Sequence, residues 1–480
     1  MRARAHGCRN REMDFSTAEF WYSLIPALLL IWLGNVLLRR WSDVRRLYNK
    51  LLMLVLSLVL LGLASWQTLC IFLTVTLTAW VVCKWGLRLG QGGRRALLWC
   101  TVPVLLLPLL YYKYADFICN GIAGQQWDTL RDLIIPIGIS FYTFQIIGFC
   151  IDTLLRDEPM PRFVDYLNFG SFFPQIVAGP IERRSDLLPQ VQRMELALRA
   201  SDFAEGLPYV ILGLFFKMAL ADNIATAFWA DYAGHNAWMV WLNNLLFTFR
   251  IYFDFAGYGL TAYGIARCLG ITLRMNFISP YTAGNITEFW RRWHTSLTLW
   301  FRDYIYFPMG GSRTKRWALN ILIVFTISGI WHGAGWNFVM WGAFAGVAMV
   351  VHRVFRNLGG KLPSLLGWGM TFCMMVFVWM FFYDAKPEML EHHLHVIAEP
   401  ANYDLRAFVQ ELVDRQMAGT LPGLFLLLSF AVVLVEYLSG RRYRDEPYRL
   451  LLSPVACGVL VFLLVVLNTS VQNQFIYFAF

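Results

Sequence analysis

The chain has 480 residues, of which 58% are apolar, 16% aromatic and only 15% charged, with a mean hydropathy of +0.50. Soluble domains carry about 25% charged residues, so a soluble globule is excluded, as are disordered, collagen-like and coiled-coil chains. The net charge of +10 would suggest nucleic acid in a soluble protein, but Lys and Arg also gather in the cytoplasmic loops of membrane proteins. The apolar residues here lie in long runs, and an all-α polytopic membrane protein with no nucleic-acid partner is expected.

A spanning helix needs roughly 17–25 mostly apolar residues. Candidate spans lie near 20–38, 50–66, 69–83, 97–112, 134–151, 207–228, 238–264, 319–331, 336–351, 365–383, 421–438 and 451–469. About 11–12 crossings are expected, the shorter ones as half-spans or re-entrant elements. The connections alternate in charge. The stretches 39–50, 84–95, 266–318, 353–361 and 441–449 are basic, the chain after Asp152 carries Arg156, Arg162, Arg183 and Arg184, and the connections near Gln67, 113–133, 229–237 and 384–420 are neutral, balanced or acidic. The positive-inside rule then places the basic loops in the cytoplasm and both termini outside. The tail 1–18 fits poorly, because it carries Arg2, Arg4, Arg9 and Arg11. A native start at Met13 would remove the conflict. Residues 19–480 are read as one membrane domain whose informative core is 166–345. Cysteines occur without any CxxC pair, so they are read as buried hydrophobes rather than zinc or redox sites.

Four segments carry chemistry. FGSFFPQIVAGPIERRSDLLPQ (169–190) combines helix-breaking Pro and Gly with apolar Phe172, Phe173, Ile176 and Val177. It is read either as a re-entrant element inside the protein or as an amphipathic interface loop. FRIYFDFAGYG (249–259) places Arg250 and Asp254 four apart on one helix face, a candidate structural ion pair inside a span. NITEFWRRWHTSLTLWFRDYIYFPMGGSR (285–313) carries apolar residues at 290, 293, 297, 300 and 304, the stripe of one continuous interfacial helix. Asn285 or Thr287 is placed to cap its start, with Glu288 in the first turn. His294 sits beside two tryptophans there. ISGIWHGAGWNFVMWG (327–342) lies in an almost wholly apolar stretch with His332 as its one ionisable group, flanked by glycines. An imidazole can be buried neutral and accept a proton near physiological pH, so His332 is the leading functional candidate. His392, His393 and His395 are read as a solvated loop. No metal site is expected, and no nucleophile elbow, Walker A, HExxH or dinucleotide fingerprint occurs.

Together with the terminal FIYFAF, these motifs resemble the membrane-bound O-acyltransferases, in particular the branch that O-acetylates bacterial polysaccharides. The resemblance implies a ring of tilted spans around a central cavity, with His332 as the membrane-embedded catalytic histidine and His294 as its second functional histidine. It implies transfer of an acetyl group from a cytoplasmic thioester, acetyl-CoA being the expected donor, to an exported polysaccharide or to a separate periplasmic or membrane-anchored acetyltransferase subunit. No bound cofactor is implied, and the bilayer of the bacterial inner membrane is the implied setting. Arg291, Arg292, Arg302 and Arg313 are candidates to hold the anionic donor, with snorkelling to lipid headgroups as their other reading. Gly259 and Leu260 stand where the alginate branch carries a Ser-Asp pair, nearer to the teichoic acid D-alanylation branch. The acceptor polymer is therefore open between the two. Rival readings of the same residues are a proton-coupled transporter or flippase, through Arg250, Asp254 and His332, and a non-catalytic scaffold of an exopolysaccharide synthase.

Overall fold

A computed structural model describes residues 15–131, 133–227, 232–384, 386–414, 420–443 and 446–468. The basic tail, Met13 and the terminal FIYFAF lie outside these residues. The described residues are helical, with no strand. Among the described residues, eight helices are long and apolar enough to cross a membrane: Ala18–Leu37, Ser42–Ala64, Trp66–Gly86, Gln91–Tyr114, Ala200–Ala227, Trp336–Asn357, Ser364–Tyr383 and Pro422–Arg442. Ile139–Leu155, Trp317–His332 and Pro454–Leu467 are apolar but shorter. At 1.5 Å per residue they reach about 21–26 Å, short of a hydrocarbon core of about 30 Å. Every apolar run expected to span falls on one of these helices or on Ala237–Cys268, which is long but carries buried charge.

The chain divides into two compact units, whose boundary falls within two helices. The first unit comprises residues up to Leu207 with Ala262–Leu273. It contains α1 (Ala18–Leu37), α2 (Ser42–Ala64), α3 (Trp66–Gly86), α4 (Gln91–Leu109), the single turn α5 (Asp128–Arg131), α6 (Ile139–Leu155), α7 (Phe163–Ser171), the single turn α8 (Phe173–Ile176) and α9 (Arg184–Gln192). The segment from 165 to 182 is buried throughout. That favours the element inside the protein over an exposed amphipathic loop. Its irregular backbone is held by polar anchors on the neighbouring helices. Lys50 on α2 donates to Asp165 Oδ1 at 2.6 Å and to the Gln192 carbonyl at 2.9 Å. Tyr166 donates to the Thr76 carbonyl at 2.7 Å, and Asn168 to the Lys50 carbonyl at 3.1 Å. Arg184 donates to Thr153 Oγ1 at 2.6 Å and lies 4.8 Å above the Phe149 ring.

The second unit comprises Pro208–Thr261 and the chain from Arg274 on. Helix α10 (Ala200–Leu214) enters it and runs through a π-helical turn, Phe215–Ala221, into α11 (Asp222–Ala227). There follow α12 (Ala237–Cys268), α13 (Ile286–Arg292), α14 (Thr295–Phe301), α15 (Trp317–His332), α16 (Trp336–Asn357), α17 (Ser364–Tyr383), α18 (Pro387–Ala398), α19 (Leu405–Asp414), α20 (Thr420–Arg442) and α21 (Pro454–Leu467). Tyr252 of α12 donates to the buried Glu436 of α20 at 2.6 Å, and Tyr448 donates to the Phe277 carbonyl at 3.1 Å. These bonds fix the segment that leads into α13.

Removing one partner of a buried ion pair leaves an uncompensated charge, at a cost of about 3–5 kcal/mol. Lys50→Met should therefore lower the thermal stability of the purified protein by an amount in that range. Lys50→Met combined with Asp165→Leu should recover much of the loss. Equal melting of wild type and the single variant would refute this anchoring role.

Candidate active site

The site is built on the α15–α16 hairpin. Both helices are apolar, and they approach closely because glycines stand at the contact. A Cβ on Gly329 would strike the Phe338 carbonyl oxygen, and one on Gly342 would strike the Phe325 carbonyl oxygen. Small residues of this kind let two helix backbones meet inside a membrane. Gly333 and Gly335 in the link have extended backbone, so α15 ends at His332. The imidazole is 3% exposed. Its walls are Trp331 at 4.9 Å, Trp341 of α16 at 5.0 Å and Phe382 of α17 at 5.4 Å, measured between ring centroids. Asn337 donates to the Phe381 carbonyl at 3.1 Å and ties the start of α16 to the end of α17.

His294 approaches from the other side. The continuous helix expected over 290–304 is not formed: α13 stops at Arg292, α14 starts at Thr295, and His294 between them is left-handed, with φ 43° and ψ 54°. This conformation is costly for a residue with a Cβ and persists only where the surroundings impose it. Here a segment eighteen residues upstream does so. The Asn276 carbonyl accepts from Thr295 N at 2.9 Å, and its Oδ1 accepts from Ser296 N at 3.3 Å and Ser296 Oγ at 2.6 Å. Ile278 N donates to the Arg292 carbonyl at 3.0 Å. Asn285 caps α13 as expected, accepting from Glu288 N at 3.0 Å. The stripe residues Trp290, Trp293, Leu297 and Trp300 are still buried, because the break redirects the stripe without exposing it.

His294 is 2% exposed and packs against Phe255 at 4.8 Å and Trp331 at 5.9 Å. Its ring centroid lies 6.3 Å from that of His332. Two histidines thirty-eight positions apart thus share one aromatic enclosure. Burial pushes the His294 pKa down to about 3, slightly opposed by a backbone hydrogen bond, so its imidazole is neutral at physiological pH.

The other expected site residues lie apart from this pair. Arg291, Arg302 and Arg313 are exposed. Arg302 pairs with Asp303 at 2.7 Å. Arg292 is half-buried and already engaged by Glu288 and by Thr282 Oγ1. Asp254 has a partner the sequence did not suggest. Lys217 Nζ lies 2.8 Å from Asp254 Oδ1 and 2.9 Å from Asp222 Oδ1, and both carboxylates act electrostatically on Arg250. The expected pair is thus part of a buried quartet of two cations and two anions. Lys217 carried a readable signal, a lone Lys inside the run 207–228, and so did Glu436 inside 421–438.

The histidines of the 384–420 segment are not a solvated loop. His393 is fully buried on α18. Its Nε2 lies 2.8 Å from the Tyr232 carbonyl and its Nδ1 lies 2.8 Å from Asp384 Oδ2. A carbonyl can only accept, so Nε2 is a donor. Burial lowers the His393 pKa, but the hydrogen bond and charge of Asp384, with the Tyr232 carbonyl, outweigh it and leave the value raised. Burial raises Asp384 despite His393. Among the described residues no three His, Cys, Asp or Glu side chains gather as a metal site.

A many-helix apolar fold of this kind defines a multi-pass membrane protein, here with two imidazoles enclosed at a helix hairpin. The profile of the membrane-bound O-acyltransferase family, MBOAT, matches residues 52–383, and the chain belongs to that family. It is a membrane O-acyltransferase. It is 37% identical over 327 residues to a peptidoglycan O-acetyltransferase of Helicobacter pylori, an alignment covering 60% of this chain and 61% of that enzyme. The chain thus spans about three-fifths of that relative. It is 31% identical over 437 residues to a probable alginate O-acetylase, AlgI, of Pseudomonas aeruginosa, covering 87% of this chain and 81% of the relative. It is 30% identical over 333 residues to a teichoic acid D-alanyltransferase of Bacillus subtilis, covering 63% and 81%.

Both shifts at the Asp384–His393 pair make the folded chain hold protons more tightly than the unfolded one, so stability falls as pH rises. The His393 contribution is complete below its ordinary value of 6.5 and is lost as pH climbs through the raised value. Asp384 adds a loss of the same sign from its ordinary 3.8 upward. The melting temperature of the purified protein should therefore fall as pH rises above 6.5. His393→Asn should flatten that slope, and an equal slope in the variant would refute the assignment.

Proposed function

We propose that the chain transfers an acetyl group from a cytoplasmic thioester donor, acetyl-CoA, for O-acetylation of an exported cell-envelope polymer, with His332 as the catalytic histidine and His294 as its assistant. The observation that carries this reading is the convergence of His294 and His332 within 6.3 Å inside one buried aromatic enclosure. The names of the relatives support the class of acceptor, since they speak of alginate, peptidoglycan and teichoic acid. Residues 19–480 act as one membrane domain, and the family match runs through both compact units. The alternation of basic loops supports an inner-membrane setting with both termini outside.

In the base form of the reaction, His332 takes the proton of the acceptor hydroxyl as its oxygen attacks the thioester carbonyl carbon. The carbon–sulfur bond breaks, the proton passes to the thiolate, and CoA leaves as a thiol. In the nucleophile form, an imidazole nitrogen of His332 attacks the thioester carbonyl, the carbon–sulfur bond breaks and CoA leaves as a thiol with the imidazole proton; the acceptor hydroxyl then attacks the acyl-imidazole, the carbon–nitrogen bond breaks and the hydroxyl proton returns to the ring. His294, neutral at working pH, is suited to hydrogen-bond the donor or its carbonyl oxygen rather than to carry the proton. Arg291 and Arg313 supply positive charge for the phosphates of the donor; Arg292, already held by Glu288 and Thr282, and Arg302, paired with Asp303, contribute less. The acceptor is either the polymer or a hydroxyl of a partner acetyltransferase subunit.

General acid–base catalysis contributes about 10²–10⁴ in rate. In proteoliposomes fed radiolabelled acetyl-CoA, His332→Ala should lose acetyl transfer by at least about a hundredfold while accumulating in the membrane normally. His294→Ala should lose about tenfold to a hundredfold and keep a measurable residue. Normal transfer by His332→Ala would overturn the catalytic assignment. Proton-coupled uptake without label transfer would select the transporter instead.

A further inference from the structure

Two hydrogen-bond donors in and behind the wall around His332, among several buried indoles of this aromatic cluster, meet no acceptor among the described residues. They are the indole N–H groups of Trp341 and Trp290. Trp341 is 1% exposed and Trp290 6% exposed, and the nitrogen of each is out of reach of solvent. The rings belong to one wall. Trp341 lies edge-to-face with His332 at 5.0 Å, and Trp290 lies edge-to-face with Trp341 at 5.7 Å. Their remaining surroundings are apolar rings: Trp379 and Phe382 around Trp341, Phe325 and Phe289 around Trp290.

A buried indole N–H almost always finds a partner, because desolvating it without one is unfavourable. An all-aromatic wall could be packed by phenylalanine with no such penalty. Two orphaned donors beside a catalytic imidazole match the requirement of acyl transfer. As the acceptor oxygen attacks, the carbonyl electron pair moves onto oxygen, and the resulting oxyanion needs fixed donors in a water-free site. The intermediate then collapses, the carbonyl re-forms, the carbon–sulfur bond breaks, and the proton held by His332 goes to the thiolate. The indoles donate hydrogen bonds throughout and exchange no proton.

We propose that Trp341, seconded by Trp290, binds the carbonyl oxygen of the acyl group during its transfer at His332. This rests on the acyl-transfer reading above. The carbonyl of the bound acyl group would then sit within hydrogen-bond reach of the Trp341 indole.

The test uses the full chain in proteoliposomes with acetyl-CoA and the acceptor. Trp341→Phe should lower kcat by about tenfold to a hundredfold with KM for acetyl-CoA changed less than about threefold, since the bond is strongest in the transition state. Trp290→Phe should give a smaller loss of the same kind. Benzothienylalanine incorporated at position 341 keeps the ring size and replaces N–H by sulfur. It should reproduce the kcat loss with unchanged melting, and it decides the matter where the phenylalanine variant folds poorly. Wild-type kcat in the benzothienylalanine variant, with His332→Ala inactive, would overturn this proposal and leave the acyl-transfer reading standing. Full activity in His332→Ala would overturn that reading itself.

Discussion

The close contact of α15 with α16 sets the position of everything else in the site. With glycine at 329 and 342, the backbone of each helix lies against a carbonyl of the other. The turn at Gly333–Gly335 can then be short, and His332 is carried on the last residue of a rigid helix rather than on a loop. Catalytic groups on regular elements are held more precisely than those on loops. A larger residue at either glycine would push the helices apart and move Trp341, which stands one residue before Gly342 and in ring contact with His332. The aromatic enclosure is thus a consequence of helix packing as much as of its own side chains.

The second unit treats its buried polar groups in two ways. Lys217, Arg250, Asp222 and Asp254 form a balanced quartet whose charges answer one another. Such a set locks α12 to the π-helical turn before α11, at the desolvation cost that buried ion pairs carry. Phe255, next to Asp254 in the chain, is the ring that packs on His294, so the lock also steadies the wall of the site. His294 is treated differently: burial keeps its imidazole neutral, so it can take part in a hydrogen bond without a change of charge.

Much of this was legible in the sequence, and the failures have physical causes. The apolar runs locate the helices, because the demand that every backbone group in lipid be satisfied internally leaves helix as the available form. The lone ionisable residue of 327–342 points to His332 for the same reason. The stripe over 290–304 predicts one helix and is wrong about continuity, since the break at His294 is imposed by Asn276, and no local propensity announces a hydrogen bond from eighteen residues away. The pairing of Asp254 with Lys217 was hidden similarly: spacing of four on one helix points to Arg250, which does feel the Asp254 charge, while a further neighbour arrives from another helix. His393 looked solvated because its run is polar, yet Asp384 and the Tyr232 carbonyl give both ring nitrogens partners and allow full burial.

The two histidines are therefore unequal in the chemistry proposed for them. A group that binds a proton only near pH 3 is a weak base and withdraws little driving force from an acceptor hydroxyl, since a catalytic base works best with a pKa near the working pH. The left-handed backbone at His294 is held by bonds from Asn276, so its ring has a fixed aim. A fixed, neutral imidazole is suited to hold and orient, whereas proton transfer needs a group whose affinity lies nearer the working pH. On the proposed reading, orientation therefore falls to His294 and proton transfer to His332, at the end of α15. The hairpin glycines and the Asn276 clamp then have one shared effect, which is to hold the two rings within 6.3 Å of each other.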